Sequence, residues 1–433
     1  PKPLLPWFSH TGVSDNQALI SALCKYPYQA KIVMSWMTNT LQATSGLLRD
    51  SVLERMKDTS IIPLHIACDV VIGEHAQYAD YIVPDTNPFE SFGVVTNEGF
   101  FKSKGNSVRW PAKTPETIEI SGGRHASFEA FCCDVAKVCD MPGFGDNAMT
   151  DVDGKTWPLN DACDFFLKAV ANLAYDATPV DDVASEDMKL QALDNLPEAW
   201  KNAVSEEEWP KVLNVLSRGG RFWPMEDCIG KNGAIKYATE NLTHFYSNRK
   251  AADTNPYTGE KLSGTLTNDP ERFADNSTLD DHYSREEYPF RSTNYKPRFR
   301  SISFLANSPI MRDLCDHNYL ELNRDDAKAL GIKDGDTIKI TNPSGDVMEG
   351  EAMVRGGIAE GTFGVAYGYG HRAYGAQDVA IEGEQTRKGN PAIGAGIHLQ
   401  TMLDPTISEI YPLADPEGTS PGRSGGMYKI EKA

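Results

Sequence analysis

The sequence predicts a mixed α/β protein that consists of a parallel-sheet domain, a helical and irregular connection, and a compact β-barrel. Three observations support this fold class. Strand-like and helix-like stretches alternate over residues 1–125, polar segments interrupted by helices fill residues 126–295, and short strands with glycine-containing turns fill residues 296–433. The length of 433 residues is sufficient for about three domains.

Apolar runs with β-branched residues predict the strands of the first region, at 30–36, 61–72 and 81–84. Residues 45–58 place apolar side chains on one helical face, with Ser45 as the N-cap. This alternation of strands and helices favours a parallel sheet with crossover helices. Such sheets bind ligands beyond the carboxyl ends of their strands.

Helical periodicity characterises parts of the second region, at 127–139, 161–174 and 205–217. The sequence between and after these helices is rich in Asp, Asn and Pro, which is typical of a long irregular connection. The cysteines of the first helix are expected to be small buried hydrophobes: Cys132, Cys133 and Cys139.

Short strands dominate the prediction for the third region. They are expected at 301–306, 336–342, 350–357 and 361–369, with one helix at 324–332. Glycine turns separate the strands, and this pattern favours a compact barrel.

The charge balance excludes several classes of partner. With 42 Lys and Arg against 61 Asp and Glu, the chain has a formal charge of −19. Binding to nucleic acid or to anionic lipid relies on clustered basic side chains, so both are disfavoured. No apolar run reaches the roughly 18 residues of a membrane span, and no signal-peptide pattern is visible, so we expect no membrane insertion.

The motifs of zinc proteases and P-loop kinases do not occur in the sequence. The eight cysteines also show no CxxC spacing of the kind used for zinc or iron–sulfur sites. Hydrolase and kinase functions are therefore unsupported.

The segment AYGYGHRAYGA (366–376) carries the best local signal for a site. Its aromatic and cationic side chains alternate with glycines, which allow a backbone to approach a ligand closely. Arg372 is suited to binding a phosphate, and His371 to donating to a ring or an oxo group. The structural alternative is a glycine–aromatic barrel strand followed by an exposed turn.

Two further segments carry weaker signals. In residues 68–99, Gly73 follows a predicted strand and could offer helix N-terminal amides to a phosphate, although ordinary strand–loop–helix geometry explains it as well. In residues 305–340, polar groups are expected near a barrel entrance, or else at the surface and in turns. These are Asn307, Arg312, His317 and Asn318.

Taken in order, these segments resemble the C-terminal half of a molybdopterin oxidoreductase of the dimethyl-sulfoxide-reductase family. ADYIVPDTNPFESFGVVTNEG (79–99) is similar to a signature of that family. LNRDDAKALGIKDGDTIKITNPSG (322–345) is similar to the entry into its dinucleotide-binding barrel. GIAEGTFGVAYGYGHRAYGA (357–376) resembles the later barrel strands.

Within the family, LPEAW (196–200) and LSRGGRF (216–222) are most similar to the respiratory arsenate and tetrathionate reductase branch, with arsenate preferred. Phe100 departs from the pattern, because many relatives carry Arg after the preceding glycine. A cofactor contact at Phe100 is therefore not expected.

The resemblance implies that residues 1–125 complete a Rossmann-like domain and that residues 296–433 form a double-psi β-barrel. The family's N-terminal iron–sulfur cysteines, its protein ligand to molybdenum and its first dinucleotide-binding segments have no counterpart here. The resemblance thus makes Pro1 an internal point of a longer chain, and this portion is not expected to turn over alone.

The resemblance also assigns roles to individual residues, none of them a metal ligand. Asp69 is the candidate acceptor for guanine donors. The residues expected to bind the dinucleotides are Asn39, Thr40, Cys68, Asp69, Gly73, Glu74, Asp85, Asn307, Ser308, Arg312, Gly370, His371 and His398. The residues expected at the pterin core and the substrate funnel, and hence catalytic, are His371, Arg372 and Tyr374.

The implied cofactor is molybdenum bis(molybdopterin guanine dinucleotide), with a 4Fe–4S cluster in the missing part. The implied reaction is two-electron reduction of an oxyanion, arsenate to arsenite, with electrons from an iron–sulfur partner subunit in the periplasm. Reduction of tetrathionate, thiosulfate, polysulfide or selenate is the alternative within the family. A non-catalytic double-psi barrel binding module is the alternative from another class.

Overall fold

A computed structural model describes residues 15–96, 105–234, 245–254, 259–265, 271–414 and 422–433. The chain forms two compact units. The barrel unit comprises residues 1–67, 71–82 and 245–433, and the helical unit comprises residues 68–70 and 83–244. The predicted Asn-Glu-Gly signature at 97–99 and Phe100 lie outside the described residues.

The N-terminal part of the chain forms a three-stranded sheet of order β1-β2-β3 with three helices around it. Its elements are α1 (Asp15–Leu23), β1 (Ile32–Trp36), α2 (Thr40–Ala43), α3 (Asp50–Lys57), β2 (Leu64–Asp69) and β3 (Tyr81–Pro84). The three predicted strands are confirmed, the first two in shorter form. The predicted N-cap is wrong, because Arg49 occupies that position and Gly46, at φ +96°, interrupts the helical backbone after Ser45.

Apolar side chains of this part form one core, in which Ile20, Leu41, Leu47 and Val52 are completely buried. Tyr411, from far along the chain, packs into the same core. The C-terminal segment therefore helps to hold the N-terminal helices.

The helical unit carries its own apolar core around two central helices. Its elements are β4 (Gly93–Thr96), β5 (Gly105–Arg109), β6 (Glu119–Ile120), β7 (Arg124–His125), α4 (Phe128–Val138), β8 (Gly145–Thr150), β9 (Thr156–Leu159), α5 (Ala162–Tyr175), α6 (Ser185–Leu190), α7 (Glu198–Lys201), α8 (Trp209–Ser217), β10 (Gly220–Phe222) and α9 (Met225–Cys228). The three predicted helices correspond to α4, α5 and α8. Ser127 caps α4 by accepting the Ala130 N–H at 3.1 Å.

The prediction for the α4 cysteines is correct for one of them. Cys133 is buried with Ala130 and Ala136, whereas Cys132 is half-buried and Cys139 is exposed. The small side chains of α4, rather than its larger apolar ones, face the core. The predicted apolar face is therefore rotated away from the real one.

The remaining elements belong to the barrel unit. They are α10 (Asn248–Ala252), α11 (Leu279–His282), β11 (Phe290–Tyr295), α12 (Pro309–Leu314), β12 (Leu320–Asn323), α13 (Arg324–Ala329), β13 (Thr337–Thr341), β14 (Val347–Arg355), β15 (Thr362–Ala366), β16 (Val379–Ile381), β17 (Glu384–Arg387) and β18 (Gly425–Lys432). Short 3₁₀ helices lie at Ala76–Tyr78, Ser121–Gly123, Leu193–Asn195, Ile302–Leu305 and Pro391–Gly394. Among the residues described, no helix has the length and apolarity needed to cross a membrane.

Six strands close the predicted barrel in the order β11-β15-β12-β14-β13-β18. The pairs β11–β15 and β12–β14 are parallel, and the other neighbours are antiparallel. Alternate residues such as Leu320, Leu322, Ile338 and Ile340 fill the interior and are fully buried. The predicted strand at 301–306 is wrong, since that segment forms a 3₁₀ helix.

Candidate functional site

A cavity of about 430 Å³, here called the barrel cavity, lies at one end of the barrel within the barrel unit. Segments that are distant in sequence contribute to it: the turn and helix after β1, the end of β11, the 3₁₀ helix after it, the end of β15 and the chain after residue 396. The lining residues are Asn39, Gln42, Ala43, Ser45, Asn294, Ser301, Ile302, Ser303, Phe304, Val365, Ala366, Tyr367, Gly368, Ile397, His398, Leu399 and Arg423.

The lining of the barrel cavity combines apolar walls with unsatisfied polar atoms. Gln42 Oε1, Asn294 Oδ1 and His398 Nε2 are buried and have no hydrogen-bond partner among the described residues. Among the described residues, Arg423 is its one cationic lining residue and no carboxylate lines it. Because buried polar atoms are normally paired, this lining suits a ligand that has both donors and acceptors and carries negative charge.

Glycines shape the wall that the segment 366–376 contributes. Gly370 has φ +66°, and a Cβ atom there would lie 2.4 Å from the His398 amide nitrogen. Gly368 has φ +87°, and a Cβ atom there would lie 2.7 Å from the Ile302 carbonyl carbon. Strand β15 ends at Ala366. Most of the segment is therefore a turn packed closely against other backbone, not a continued barrel strand, and its role toward a ligand stays a prediction.

Glu74 lies at the centre of a buried polar cluster behind this wall. Its carboxylate accepts hydrogen bonds from Asn39 Nδ2 at 2.6 Å, His371 Nδ1 at 3.1 Å, Arg372 N at 2.7 Å and Ala373 N at 2.9 Å. Burial acts to raise the pKa of Glu74, but the hydrogen bond and charge of His371 and the other donors lower that pKa to about 2. The carboxylate is therefore ionised at neutral pH.

Two imidazoles lie near this carboxylate. His371 hydrogen-bonds Glu74 through Nδ1, and its buried Nε2 has no partner in the described structure. Burial lowers the pKa of His398 to about 4, so this ring is neutral at pH 7. Tyr374 stacks on His371 with ring centroids 5.0 Å apart.

A second cavity of about 510 Å³, the strand-end cavity, lies beside β1 in the barrel unit. Thr38 and Thr40 line it, while Asn39 between them lines the barrel cavity. Both ring nitrogens of His75 are buried here without a partner in the described residues, and burial lowers its pKa to about 3. The segment after β1 thus separates two sites with unsatisfied polar groups.

A cavity of about 570 Å³ in the helical unit has a different character. Phe92, Trp110 and Trp200 form an aromatic wall, and Glu129 and Asp161 are among its carboxylates. Burial raises the pKa of both Glu129 and Asp161. Lys113 and Arg124 also line it, so this helical-unit cavity carries charges of both signs.

Comparison with known proteins identifies the barrel. Residues 290–392 match the family model described as Molydopterin dinucleotide binding domain. A tetrathionate reductase subunit of Salmonella typhimurium is 34% identical over 430 residues, which is 99% of this chain and 42% of that protein. The chain belongs to the molybdopterin oxidoreductases of the dimethyl-sulfoxide-reductase family. It spans less than half the length of the curated relatives that it matches.

Other members of the family are similar over different extents. A selenate reductase subunit of Mesobacillus selenatarsenatis is 29% identical over 444 residues, covering 96% of this chain and 41% of that protein. An arsenate respiratory reductase subunit of a Shewanella species is 32% identical over 130 residues, covering 28% of this chain and 14% of that protein. The solved structure of acetylene hydratase from Pelobacter acetylenicus matches 98% of this chain and 47% of its own, with a TM-score of 0.56 and 16% identity, and this likeness concerns the fold alone.

The barrel cavity fits the dinucleotide cofactor of this family. A pterin or guanine ring presents donors and acceptors at its edges, and the orphaned atoms of Gln42, Asn294 and His398 are placed to meet such a ring. The phosphates of a dinucleotide are anionic, and the lining carries Arg423 without an opposing carboxylate among the described residues. The chemistry of the residues present thus agrees with the cofactor that the family match indicates.

The structure brings several predicted site residues together. Asn39, Gly73, Glu74, Gly370, His371 and His398 form or adjoin the buried cluster. Gly73 is needed because a Cβ there would lie 2.9 Å from Asn39 Nδ2. Of the two readings for Gly73, the helix N-terminus is not supported, since only a three-residue 3₁₀ helix follows.

Other predicted residues of the barrel unit have local partners. Thr40 is buried, and its hydroxyl pairs with that of Thr38 at 3.1 Å. Arg312 Nη1 donates to the carbonyls of Ala306 and Asn307, both at 3.3 Å. The exposed Arg372 guanidinium makes one long hydrogen bond, to the Leu48 carbonyl at 3.4 Å. Ser308 precedes α12 without capping it through its side chain.

Asn307 and Asn318, both expected near a barrel entrance, have contrasting environments. Asn307 Oδ1 is buried without a partner among the described residues. Asn318 donates to the carbonyls of Ala366 and Ile397 and accepts the Ile397 N–H, so it has a structural role. The predicted cofactor role of Asn307 stays a prediction.

Cys68, Asp69 and Asp85 belong to the helical unit. Burial raises the pKa of the Cys68 thiol, and the charges of Asp85 and Asp69 add to this effect. Asp85 Oδ1 accepts the N–H groups of Thr86 at 2.8 Å and Phe128 at 3.0 Å, so it orders the start of α4. Their proposed roles toward a nucleotide stay predictions.

Sequence reasoning missed three residues that define the barrel cavity: Gln42, Asn294 and Arg423. Each lies in a segment without a motif. Only Gln42 could have been found from the sequence, because it lies three positions after the predicted site residue Asn39 and residues at this spacing are neighbours on a helix.

Proposed function

We propose that the protein containing this chain is a molybdenum-dependent reductase of an oxyanion or a sulfur compound. The observation that carries the proposal is the barrel cavity, which combines buried orphan polar atoms with a described lining that has no carboxylate. About half of this lining, including Asn294, lies within the residues matched to dinucleotide binding. When bound, the molybdenum cofactor supplies the two-electron chemistry. This chain supplies binding, orientation and exclusion of water.

Gln42, Asn294 and His398 would hold a ring of the dinucleotide through its polar edges, and Arg423 would neutralise phosphate charge. The strand-end cavity with His75 and Thr40 supports a second dinucleotide site on the other side of Asn39. This agrees with a cofactor of two dinucleotides. The remaining surface of both sites would come from chain outside these residues.

Two finer features of the fold belong to the same proposal. The two parallel strand pairs in an otherwise antiparallel barrel support a double-psi topology. The order β1-β2-β3, with helices between the first two strands, supports a Rossmann-like sheet.

Tetrathionate is the first candidate substrate, and selenate and arsenate follow. The similarity to the tetrathionate reductase extends over 99% of this chain, whereas the similarity to the arsenate reductase extends over 28%. The arsenate preference of the sequence interpretation is therefore not favoured. Arsenate remains one acceptor to be tested.

A periplasmic location and an iron–sulfur electron-transfer subunit complete the proposal. The tetrathionate and selenate reductase relatives are themselves subunits by name, which supports a partner for electron delivery. A 4Fe–4S cluster is expected in chain outside these residues. Separating the subunits of the native complex would test for the partner, and analysis of its iron would test for the cluster. Fractionation of the cells would test the periplasmic location.

The test is elemental and nucleotide analysis of the natively purified holoenzyme, followed by a panel of acceptors. We expect molybdenum, guanine nucleotide released on denaturation, and faster oxidation of a reduced dye with tetrathionate than with selenate or arsenate. Absence of molybdenum and tungsten in protein matured with cofactor available would instead support a non-catalytic binding module. Molybdenum with no turnover of any of the three acceptors would reject the substrate class alone.

A further inference from the structure

Helix α4 carries apolar side chains on two opposite faces. Ala130, Cys133 and Ala136 lie on one face and are buried in the helical unit. Successive residues of a helix are rotated by about 100° around its axis, so the sequence also fixes which residues lie opposite these three. Those residues form what we call the outer face of α4: Phe131, Cys132, Val135, Val138 and Cys139.

The outer face of α4 is largely exposed to solvent. Val138 is 85% exposed and Val135 is 42% exposed. Cys139 is exposed, whereas Phe131 and Cys132 are half-buried. The face extends for about 12 Å along the helix axis, which is long enough for a second element of structure to pack on it.

The charged residues at the edge of the outer face are balanced within the helical unit. Asp134 pairs with Arg124 at 2.9 Å and with Lys137 at 3.0 Å. What α4 presents beyond these ion pairs is therefore apolar surface. Contiguous exposed apolar surface in a folded protein marks a contact with another element or molecule.

The composition of the outer face separates a permanent contact from a transient one. Interfaces of proteins that associate transiently are about as polar as the general protein surface, whereas permanent contacts resemble a domain core. Cysteine, valine and phenylalanine, the residue types of this face, are among those most often buried in cores. The outer face therefore has the composition of a permanent contact.

The length of the relatives indicates where the covering element comes from. This chain covers 42% of the tetrathionate reductase subunit and 41% of the selenate reductase subunit. In a protein of that length, more than half of the polypeptide lies outside these residues and packs on them permanently. It is the source of apolar surface that matches a permanent contact.

We propose that the outer face of α4 is covered by the part of the same polypeptide that lies outside these 433 residues, so that α4 is packed on both faces. The occupant presents the apolar face of a helix or strand. The electron-transfer subunit does not bind here. The inference rests on the function proposed above only in placing this chain within a longer reductase subunit, and it makes no use of the cofactor.

Cys139 is a natural probe of the outer face. The experiment measures its rate of modification by a maleimide in the natively purified full-length protein, by mass spectrometry of the peptide that contains it. The reference is Val152→Cys, at a position that is 101% exposed in the turn between β8 and β9, and both rates are normalised to unfolded protein. We expect Cys139 to react at least about tenfold more slowly, because a covered thiol reacts only when the contact opens. Equal rates would overturn the proposal.

The same measurement on separated species identifies the occupant. The full-length subunit is produced without its electron-transfer partner and isolated as a monomer. We expect Cys139 to remain protected in this monomer, because the same polypeptide covers it. Protection that requires the partner subunit, or a second copy of the chain, would overturn the proposal.

A lysine on the outer face tests the contact without a thiol reagent. Val138 is the last residue of α4, where a cation favours an exposed helix. Under a permanent contact the ammonium group is buried without a partner, so we expect thermolysin to cleave native full-length Val138→Lys about tenfold faster than the wild-type protein. Val152→Lys is the matched control and should be cleaved at the wild-type rate. Equal cleavage of the two variants would contradict a covered face.

Molybdenum content separates this inference from the proposed function. Protein that lacks molybdenum but protects Cys139 would reject the proposed function alone. Molybdenum-loaded protein in which Cys139 reacts as fast as the thiol of Val152→Cys would reject this inference alone.

Discussion

The barrel cavity and the helical-unit cavity have volumes of about 430 and 570 Å³, but their linings differ in charge. The barrel cavity carries one arginine and, within the described residues, no carboxylate. The helical-unit cavity carries carboxylates whose pKa values burial raises, two cations (Lys113 and Arg124) and an aromatic wall. In a chain with a net charge of −19, local composition and not total charge selects the ligand.

Buried polar atoms mark the same difference. In the barrel cavity, Gln42, Asn294 and His398 each leave an atom unsatisfied within the described structure. In the helical unit, Glu90 accepts two backbone N–H groups and lies 3.6 Å from Lys113 Nζ. A region that satisfies its own polar groups is complete without a ligand, whereas the barrel cavity is not.

The largest effect is expected for Gly370→Ala. The new Cβ would meet the His398 backbone at 2.4 Å, at a φ of +66°. We expect a loss of about 2–5 kcal/mol in the free energy of unfolding, together with loss of bound molybdenum. The control is Gly122→Ala in the helical unit, at φ +80° with no atom within 4 Å, which should cost only about 1–2 kcal/mol and retain molybdenum. Similar losses of stability and molybdenum in both variants would show that the wall of the barrel cavity has no special role.

Opposite pH responses are expected from Glu74 and Glu129. The folded-state pKa of Glu74 is about 2, below the ordinary 4.5, so its stabilisation is present above pH 4.5 and is lost as the pH falls toward 2. The size of this loss is on the order of 2–3 kcal/mol. Burial raises the pKa of Glu129, so its contribution is present below pH 4.5 and is lost as the pH rises through the raised value.

Hydrogen exchange of each unit as a function of pH measures these contributions. Glu74→Gln should weaken the acid dependence of the barrel unit, and Glu129→Gln should stabilise the helical unit near neutral pH. Acid sensitivity of the barrel unit that is unchanged in Glu74→Gln would show that other groups cause it.

A charge placed in the barrel cavity tests the electrostatic comparison directly. Gln42→Glu adds a carboxylate to a lining that has none among the described residues, and we expect about a tenfold lower affinity for the anionic dinucleotide. Gln191→Glu makes the same charge change in the helical unit, where Gln191 donates to the Ser217 carbonyl. Guanine nucleotide bound per chain is the measurement, and equal occupancy in both variants would refute the electrostatic argument.

The smallest effect is expected for Arg372→Ala. Its exposed guanidinium has one long hydrogen bond, so the free energy of unfolding should change by about 0.5 kcal/mol or less. Arg221 of the helical unit donates to the carbonyls of Leu173, Ala174 and Thr178, and Arg221→Ala should cost about 1–3 kcal/mol. Chemical denaturation of both variants gives the two values. A large loss for Arg372→Ala would reveal a structural role that its contacts do not explain.

Predictions from sequence succeeded where a local pattern was sufficient. The strands β1 to β3, the helices α4, α5 and α8 and the barrel strands β13 to β15 all follow from periodicity and turn residues. The segment 301–306 has the composition of a strand, yet it forms a 3₁₀ helix in which Ile302 adopts a φ of +51° and lines the barrel cavity. Tertiary context overrode the propensity at this position.

The cysteines of α4 show a second limit. Their 3.6-residue spacing predicted an apolar face, but close packing in the helical unit buries Ala130, Cys133 and Ala136 instead. Which side of a helix faces a core depends on the neighbouring elements and the volume that they leave. A single helix sequence does not contain that information.

For this protein, the sequence by itself determined the order of the elements, the acidic net charge and the glycine-rich turn that contains Gly368 and Gly370. Its motifs also indicated the family. These properties depend on residues that are neighbours along the chain. Only the tertiary structure decided that Asn39, Glu74 and His371 meet, because they come from three separate segments. The hydrogen bond between Glu74 and His371 alone joins residues that are 297 positions apart in the sequence. It also decided which polar atoms are left unpaired, because an atom is unsatisfied only when the folded chain removes it from water without supplying a partner.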